Sequence, residues 1–172
     1  MNLIKSILFF LLIGCSNTSQ EDIFELARHG KSTEIEKLIT KDNTLINQKN
    51  KSGFTPLTLA CYNGNKEIIP FLLDKGAEIN TLSDMGTALM AASYKGNNDI
   101  VKILIEKGAN VNIADDKGVT ALHYACFQQN IKLVKLLVNN HAKMNTKDRK
   151  GKTPLDYAIE NNNIKIIKIL QP

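Results

Sequence analysis

Few residues in this chain are equipped for chemistry. Its 172 residues include three thiols, Cys15, Cys61 and Cys126, and three imidazoles, His29, His123 and His141. The imidazoles are far apart and lack the H-x-x-x-H spacing that sets two nitrogens on one helix face, so they describe no zinc site. The chain has no G-x-S-x-G turn, no phosphate-cradling loop and no G-x-G-x-x-G run. Its carboxylates are scattered, and the pattern sets no pair across a cleft for acid–base work. The reading is therefore of a non-enzyme, with no catalytic residue, no metal and no cofactor. An odd number of thiols argues against a simple disulfide framework. Cys15 differs from the other two because it closes the stretch LLIGCSN, Leu11 to Asn17, behind an apolar run.

That run, Ile7 to Ile13, is seven residues long and follows Lys5. It is far short of the ~20 residues that cross a bilayer and fits the apolar region of a signal peptide. Leu12-Ile13-Gly14-Cys15 resembles the lipobox of bacterial lipoproteins: aliphatic, variable, small, Cys. The resemblance implies cleavage before Cys15, with residues 1–14 removed. It also implies a diacylglycerol on the Cys15 sulfur, with palmitate-type chains holding the protein to a membrane. Several chains, each contributing ~0.8 kcal/mol per buried methylene, anchor durably where one does not. Ser16, rather than Asp, follows the cysteine. In diderm bacteria the family's usual rule then points to the outer membrane, facing the periplasm. An ordinary secretory signal and a short uncleaved anchor remain open readings of the same residues. Ser16 to Gln20 is small and polar, so residues 15–20 read as a lipidated Cys and short tether.

From residue 21 the chain repeats itself. "GFTPLTLACYNGNKEIIPFLLDKGAEIN" begins at Gly53, "GTALMAASYKGNNDIVKILIEKGANVN" at Gly86, "GVTALHYACFQQNIKLVKLLVNNHAKMN" at Gly118, and "GKTPLDYAIENNNIKIIKIL" at Gly151. The glycines are spaced 33, 32 and 33 apart, and so are Asn47, Asn80, Asn112 and Asn145, which close the units. A degenerate copy, Glu21–Asn47, precedes them, with Leu26, Ile35, Leu38 and Ile39 in its apolar slots. Thr55-Pro56 and Thr153-Pro154 combine a capping hydroxyl with a φ pre-set for the first helical turn. Leu57, Ala60 and Cys61 then fall on one face of a short helix, as do Leu89, Ala92 and Ser93, then Leu122, Ala125 and Cys126, then Leu155, Ala158 and Ile159. Gly64 and Gly96 end that helix. A second helix carries Ile68/Ile69 and Leu72/Leu73, then Ile100/Val101 and Ile103/Leu104, and ends at Gly76 or Gly108. A period near 33 with T-P-L-H-x-A elements resembles the ankyrin repeat. The resemblance spans about Glu21–Leu170. It implies an all-α solenoid of helix-turn-helix units joined by β-turn or hairpin loops. Five units are expected, about 21–47, 48–80, 81–112, 113–145 and 146–172, with the outer two atypical.

Cys61 and Cys126 share one slot two units apart and are expected to be buried and unpaired. Gln129 and Asn162 stand where a helix-ending Gly is wanted, and so does His141 after the second helix. His141 therefore reads as absorbed strain and not as a ligand. One residue is missing between Gly86 and Thr87, which should tighten that turn. Pro70 removes one backbone donor and should kink or loosen its helix. In the ankyrin family the His of the T-x-L-H slot, here His123, makes a structural hydrogen bond near the Thr, here Thr120. Thr58, Met90 and Asp156 fill that slot elsewhere, so the role is not expected to be general.

The net charge of +5 is mild and the basic residues form no long run, which argues against a nucleic-acid arm. Stacked repeats present an extended concave surface. The resemblance implies partner contacts at the loop tips and at the two residues after each first-helix Ala pair. The latter give Tyr62, Tyr94 and Phe127, aligned as a stripe of roughly one ring per repeat, with Lys95 beside them. The tips add Phe54, Met85 and Arg149. Aromatics are favoured interface anchors, but rings on helices also serve as inter-repeat core, and the residues leave both roles open. The expected function is a non-catalytic protein-binding module held at a bacterial cell envelope, with an envelope protein as partner and no nucleic acid or small-molecule substrate. An immunity-type inhibitor, a structural envelope element, or a secreted ankyrin effector if Cys15 carries no lipid are the alternatives.

Overall fold

The computed structural model describes residues 18–84 and 86–171. The proposed signal peptide, Cys15 and Met85 lie outside them. Among the described residues there are ten α-helices and no strand: α1 Thr18–Arg28, α2 Ser32–Lys41, α3 Pro56–Asn63, α4 Ile68–Asp74, α5 Ala88–Tyr94, α6 Asn98–Glu106, α7 Ala121–Phe127, α8 Ile131–Asn139, α9 Pro154–Glu160 and α10 Ile164–Leu170, with a 3-10 turn at Asn43–Asn47 after α2. They form five helix pairs. Thr18–Gln20, expected in the tether, belong to α1.

Helices of 7 to 11 residues are marginal alone in water, so packing must hold them. Leu57, Ala60 and Cys61 of α3, Leu89, Ala92 and Ser93 of α5, and Leu122, Ala125 and Cys126 of α7 are all buried. So are Ile68, Ile69 and Leu72 of α4, Ile100, Val101 and Leu104 of α6, and Leu133, Val134 and Leu137 of α8. Ala60, Ala92, Ala125 and Ala158 bring the first helices of neighbouring units close together, whereas the second helices stand further apart. That difference curves the stack, with α3, α5, α7 and α9 on the concave side. The fifth unit shows what stacking supplies. Ile159, in the slot of Cys61 and Cys126, is 48% exposed because no described unit follows to cover it.

Polar locks join the units. The Asn47 amide donates to Gly76 O at 2.9 Å while its oxygen accepts from the Glu78 N–H at 2.8 Å. Asn112 repeats this two units on, to His141 O at 3.1 Å and from the Lys143 N–H at 2.7 Å, and between them Asn80 accepts from the Asn110 N–H at 2.9 Å. The 33-residue recurrence of Asn is thus a side-chain clamp on the next unit's loop. Asn65 and Asn97 reach backward, donating to Ala27 O and Cys61 O. At the loop tips Asn50, Asp115 and Asp148 each accept from the amides two and four residues on. The shortened third tip closes instead by paired Ser83–Gly86 backbone bonds at 2.8 and 2.9 Å, the tighter turn its missing residue demands. Gly118 could carry no larger side chain, since a Cβ there would meet Lys147 O at 2.8 Å.

Pro70 lies within α4 without ending it. It occupies the third helical position, in the first turn, where an N–H lacks an intrahelical acceptor in any case. The helix begins at Ile68, two residues late relative to α6, and the Ile69 N–H takes Lys66 O in a 3-10 bond. The T-x-L-H slot also differs from expectation, because its role is general although its residue is not. The side chains at all four positions bond back to the capping threonine. Thr58 Oγ1 lies 2.9 Å from Thr55 Oγ1, and Met90 Sδ accepts from the Thr87 N–H at 3.3 Å. His123 Nδ1 accepts from the Thr120 N–H at 3.1 Å, and Asp156 Oδ2 from the Thr153 N–H at 2.7 Å.

Gln129, His141 and Asn162 hold φ of 54°, 63° and 52°, the left-handed conformation that Gly64 and Gly96 adopt in the preceding units. Gln129 is exposed, so its strain is local. Gln129→Gly should raise the unfolding free energy by roughly 0.5–1 kcal/mol, the left-handed penalty less the extra backbone entropy of Gly. Urea denaturation reads it, and an unchanged or lower midpoint would contradict it.

Because Nδ1 of His123 is an acceptor, Nε2 carries the proton and donates to Lys152 O at 3.3 Å, tying unit four to unit five. Burial pushes the His123 pKa down from 6.5, against smaller upward pulls from the Lys152 carbonyl and Asp148. The folded state therefore binds fewer protons than the unfolded chain just below pH 6.5. The stability linked to His123 is complete above that value and is lost as pH falls through the lowered folded-state pKa. His123→Met, which borrows the residue of the third unit, should make denaturation midpoints fall less steeply than the wild type's between about pH 7.5 and 5. Parallel profiles would refute this linkage.

Candidate functional site

The concave side is built by the first helices, of which α3, α5 and α7 are launched from buried threonine caps and α9 from the half-buried Thr153. Seven or eight residues give about two turns, so the residues following the buried Ala pair emerge at the rim. These are Tyr62 on α3, Tyr94 on α5 and Phe127 on α7. Tyr62 is half-buried, Tyr94 is 39% exposed and Phe127 is 56% exposed. None is a sealed core residue, yet each leans on a neighbouring ring.

The rings do not form the expected single file of one per unit. Tyr62 and Tyr94 stack, with planes 10° apart and centroids at 6.3 Å. Tyr94 then meets Tyr124 edge-on at 5.5 Å, while Phe127 pairs edge-on with Tyr157 at 6.2 Å. His123 also abuts Tyr157 at 6.0 Å. Tyr124 and Tyr157 are thus members of the surface that repeat spacing alone did not find. They lie in one slot, 33 residues apart, three residues before Phe127 and Glu160, one turn back on the same helical face. That spacing was the available signal.

Two ammonium groups lie over the rings: Lys95 Nζ is 4.8 Å from the Tyr62 centroid and Lys152 Nζ is 5.4 Å from that of Tyr157. Lys152 also pairs with Glu160 at 2.5 Å, whereas Lys95 has no carboxylate within ion-pair distance among the described residues. Gln128 donates to Tyr94 O at 2.9 Å, fixing the rim between units three and four. The Tyr157 hydroxyl donates to Asp148 at 2.6 Å. That bond, aided by burial, pushes the Tyr157 pKa up to about 12. Burial alone would raise the Asp148 carboxyl, but bonds from Tyr157 and the Lys152 and Lys150 amides outweigh it and hold it below the usual range. The last loop tip is thereby fastened to the aromatic surface.

The tip residues divide. Phe54 is half-buried and packed against the core, so it is less a free anchor than expected. Arg149 is exposed, its N–H donates to Lys117 O at 2.8 Å, and its guanidinium lies 3.9 Å from Asp116. Met85 is outside the described residues.

Cys61 and Cys126 are buried and unpaired. Burial raises both thiol pKa values, that of Cys126 to about 12, so neither supplies a thiolate near neutral pH. Among the described residues no group of three or more His, Cys, Asp or Glu could hold a metal ion, and no helix is long and apolar enough to cross a membrane. The arrangement offers a rigid, amphipathic surface for contact.

Three overlapping matches to the family model described as ankyrin repeats cover residues 5–83, 23–115 and 89–172. Among curated proteins, the chain is similar to human oxysterol-binding protein-related protein 1, at 36% identity over 76 residues, 39% of this chain and 8% of that protein. It is similar to palmitoyltransferase akr1 of Aspergillus oryzae, at 37% over 60 residues, 35% of this chain and 8% of that protein. A third relative is alpha-latrotoxin-Lt1a of Latrodectus tredecimguttatus, at 37% over 51 residues, 30% of this chain and 4% of that protein. The chain spans less than a tenth of each of these relatives. With its repeating sequence, its five stacked helix pairs and family matches along most of its length, the chain belongs to the ankyrin-repeat family.

Proposed function

We propose that this protein is a non-catalytic binding module that docks a protein partner on its concave aromatic surface. Ankyrin repeats generally mediate protein–protein interaction, and one observation carries the assignment of the surface. Tyr94 and Phe127 leave large ring areas in solvent while stacking and helix attachment hold them still. Rings that are already ordered cost little further entropy when a partner covers them. Replacing Tyr62, Tyr94 and Phe127 together by Ser should leave a cooperative fold, less stable by about 1–3 kcal/mol from lost ring–ring contacts. Affinity for a partner identified with the wild-type chain should fall at least ~100-fold. Collapse of the fold would make the rings core, and a folded variant with full affinity would place the site elsewhere.

Lipid attachment at Cys15 belongs to the same proposal. It would confine the module to a cell envelope, at the outer membrane facing the periplasm in a two-membrane cell. The lipobox-like Leu12-Ile13-Gly14-Cys15 supports it, and the other two thiols, Cys61 and Cys126, are accounted for as inert core. The anchor would lie close in sequence to the module, since α1 is described from Thr18 onward. The partner would then be an envelope protein or one recruited there. Intact-mass analysis should find the chain beginning at Cys15 with fatty acyl chains, and Cys15→Ser should abolish them. An unacylated mature chain would overturn the anchor and favour a freely secreted binder.

A further inference from the structure

The convex side is formed by the second helices, and its charges change character along the stack. Three ion pairs link neighbouring units among the first three: Lys75 with Glu36 at 2.7 Å, Lys107 with Asp74 at 3.1 Å and Lys66 with Asp99 at 3.4 Å. This ladder stops after α6. The slot of Asp99 holds Lys132 in unit four and Lys165 in unit five, and the slot of Lys102 holds Lys135 and then Lys168, each 33 residues on. Helices α8, IKLVKLLVN, and α10, IKIIKIL, contain no acidic residue at all. Lys132, Lys135, Lys165 and Lys168 are exposed, and among the described residues no carboxylate comes within ion-pair distance of any of them.

Stacked helices lie about 8–10 Å apart. Lysines in matching slots therefore sit within roughly one Debye length of each other and repel. Nothing in the described fold offsets that cost, so an external anionic surface would. Apolar groups lie among the charges. Ile164, next to Lys165, is 61% exposed, and Ile131, Leu136, Ile167 and Ile169 are half-buried. We propose that the convex face of units four and five, with Lys132, Lys135, Lys165 and Lys168 around Ile164, docks on an anionic lipid surface. Lysine supplies point charges for headgroups, without the bidentate fork that favours arginine on nucleic acid. No aromatic ring occurs on α8 or α10 for a base to stack upon. An exposed isoleucine within a lysine ring suits the boundary between headgroups and acyl chains. The face lies opposite the aromatic surface, so both can be occupied at once.

The test is flotation of the full chain with vesicles of phosphatidylcholine alone, or with about one-third phosphatidylglycerol, at low and high salt. The wild type should bind the anionic vesicles at least ~10-fold more tightly, with the difference shrinking as salt rises. Lys132→Gln, Lys135→Gln, Lys165→Gln and Lys168→Gln combined should abolish that preference. Matched replacement of the exposed Lys31, Lys37, Lys41 and Lys51 by Gln should preserve it, and melting curves confirm that both variants are folded. All of these proteins share the same apolar N-terminus, which cancels from the comparison. Ile164→Ser should weaken binding several-fold at unchanged salt dependence. No anionic preference, equal loss in the matched variant, or tighter binding of a single-stranded RNA oligomer than of the vesicles would each overturn the proposal.

Discussion

The whole structure depends on one constraint: no unit can bury its own apolar face. A pair of short helices presents Leu, Ala and Cys or Ser on one side and paired aliphatics on the other, and only an adjacent unit covers them. Leu57, Leu89 and Leu122 are buried for this reason, while Leu155 in the last unit is only half-buried and Ile159 stands in solvent. Stability is therefore shared among interfaces, and the helices are consequences of stacking more than causes of it.

Shape follows from the same constraint. Alanine at one face allows the first helices to approach closely, larger aliphatics keep the second helices further apart, and the stack curves. Curvature gathers the rim residues of the first helices on one surface and spreads the second helices on the other. The two surfaces then acquire different chemistry. The concave one carries rings with Lys95 and Lys152 over their faces. The convex one carries three inter-unit ion pairs in the early units and, in the late ones, lysines on helices without any acidic residue.

Polar groups supply register, which a purely apolar stack would leave loose. The asparagines at 47 and 112 each satisfy an amide and a carbonyl of the next unit's loop. The slot three residues after each capping threonine is filled by Thr, Met, His or Asp, and each bonds back to the cap. Four unlike side chains perform one task because the task needs only a hydrogen-bonding atom of suitable reach. His123 adds a bond to the following unit, so one interface also responds to protonation.

The repeat period, the helix pairs and the buried apolar slots were legible from the residues alone, because burial on one helix face imposes a spacing that survives as a pattern in sequence. So were the left-handed positions at Gln129, His141 and Asn162, since each stands where sister units carry glycine. The effect of Pro70 was not, because a helix can begin later and a sequence does not mark its own start. Nor was the aromatic surface legible in full. Spacing aligned Tyr62, Tyr94 and Phe127, but which rings touch depends on distances between helices. Only the folded stack decided that Tyr94 turns to Tyr124 and Phe127 to Tyr157. The loss of ion pairing along the convex face was likewise decided there, since an ion pair is a relation between units and no single unit contains it.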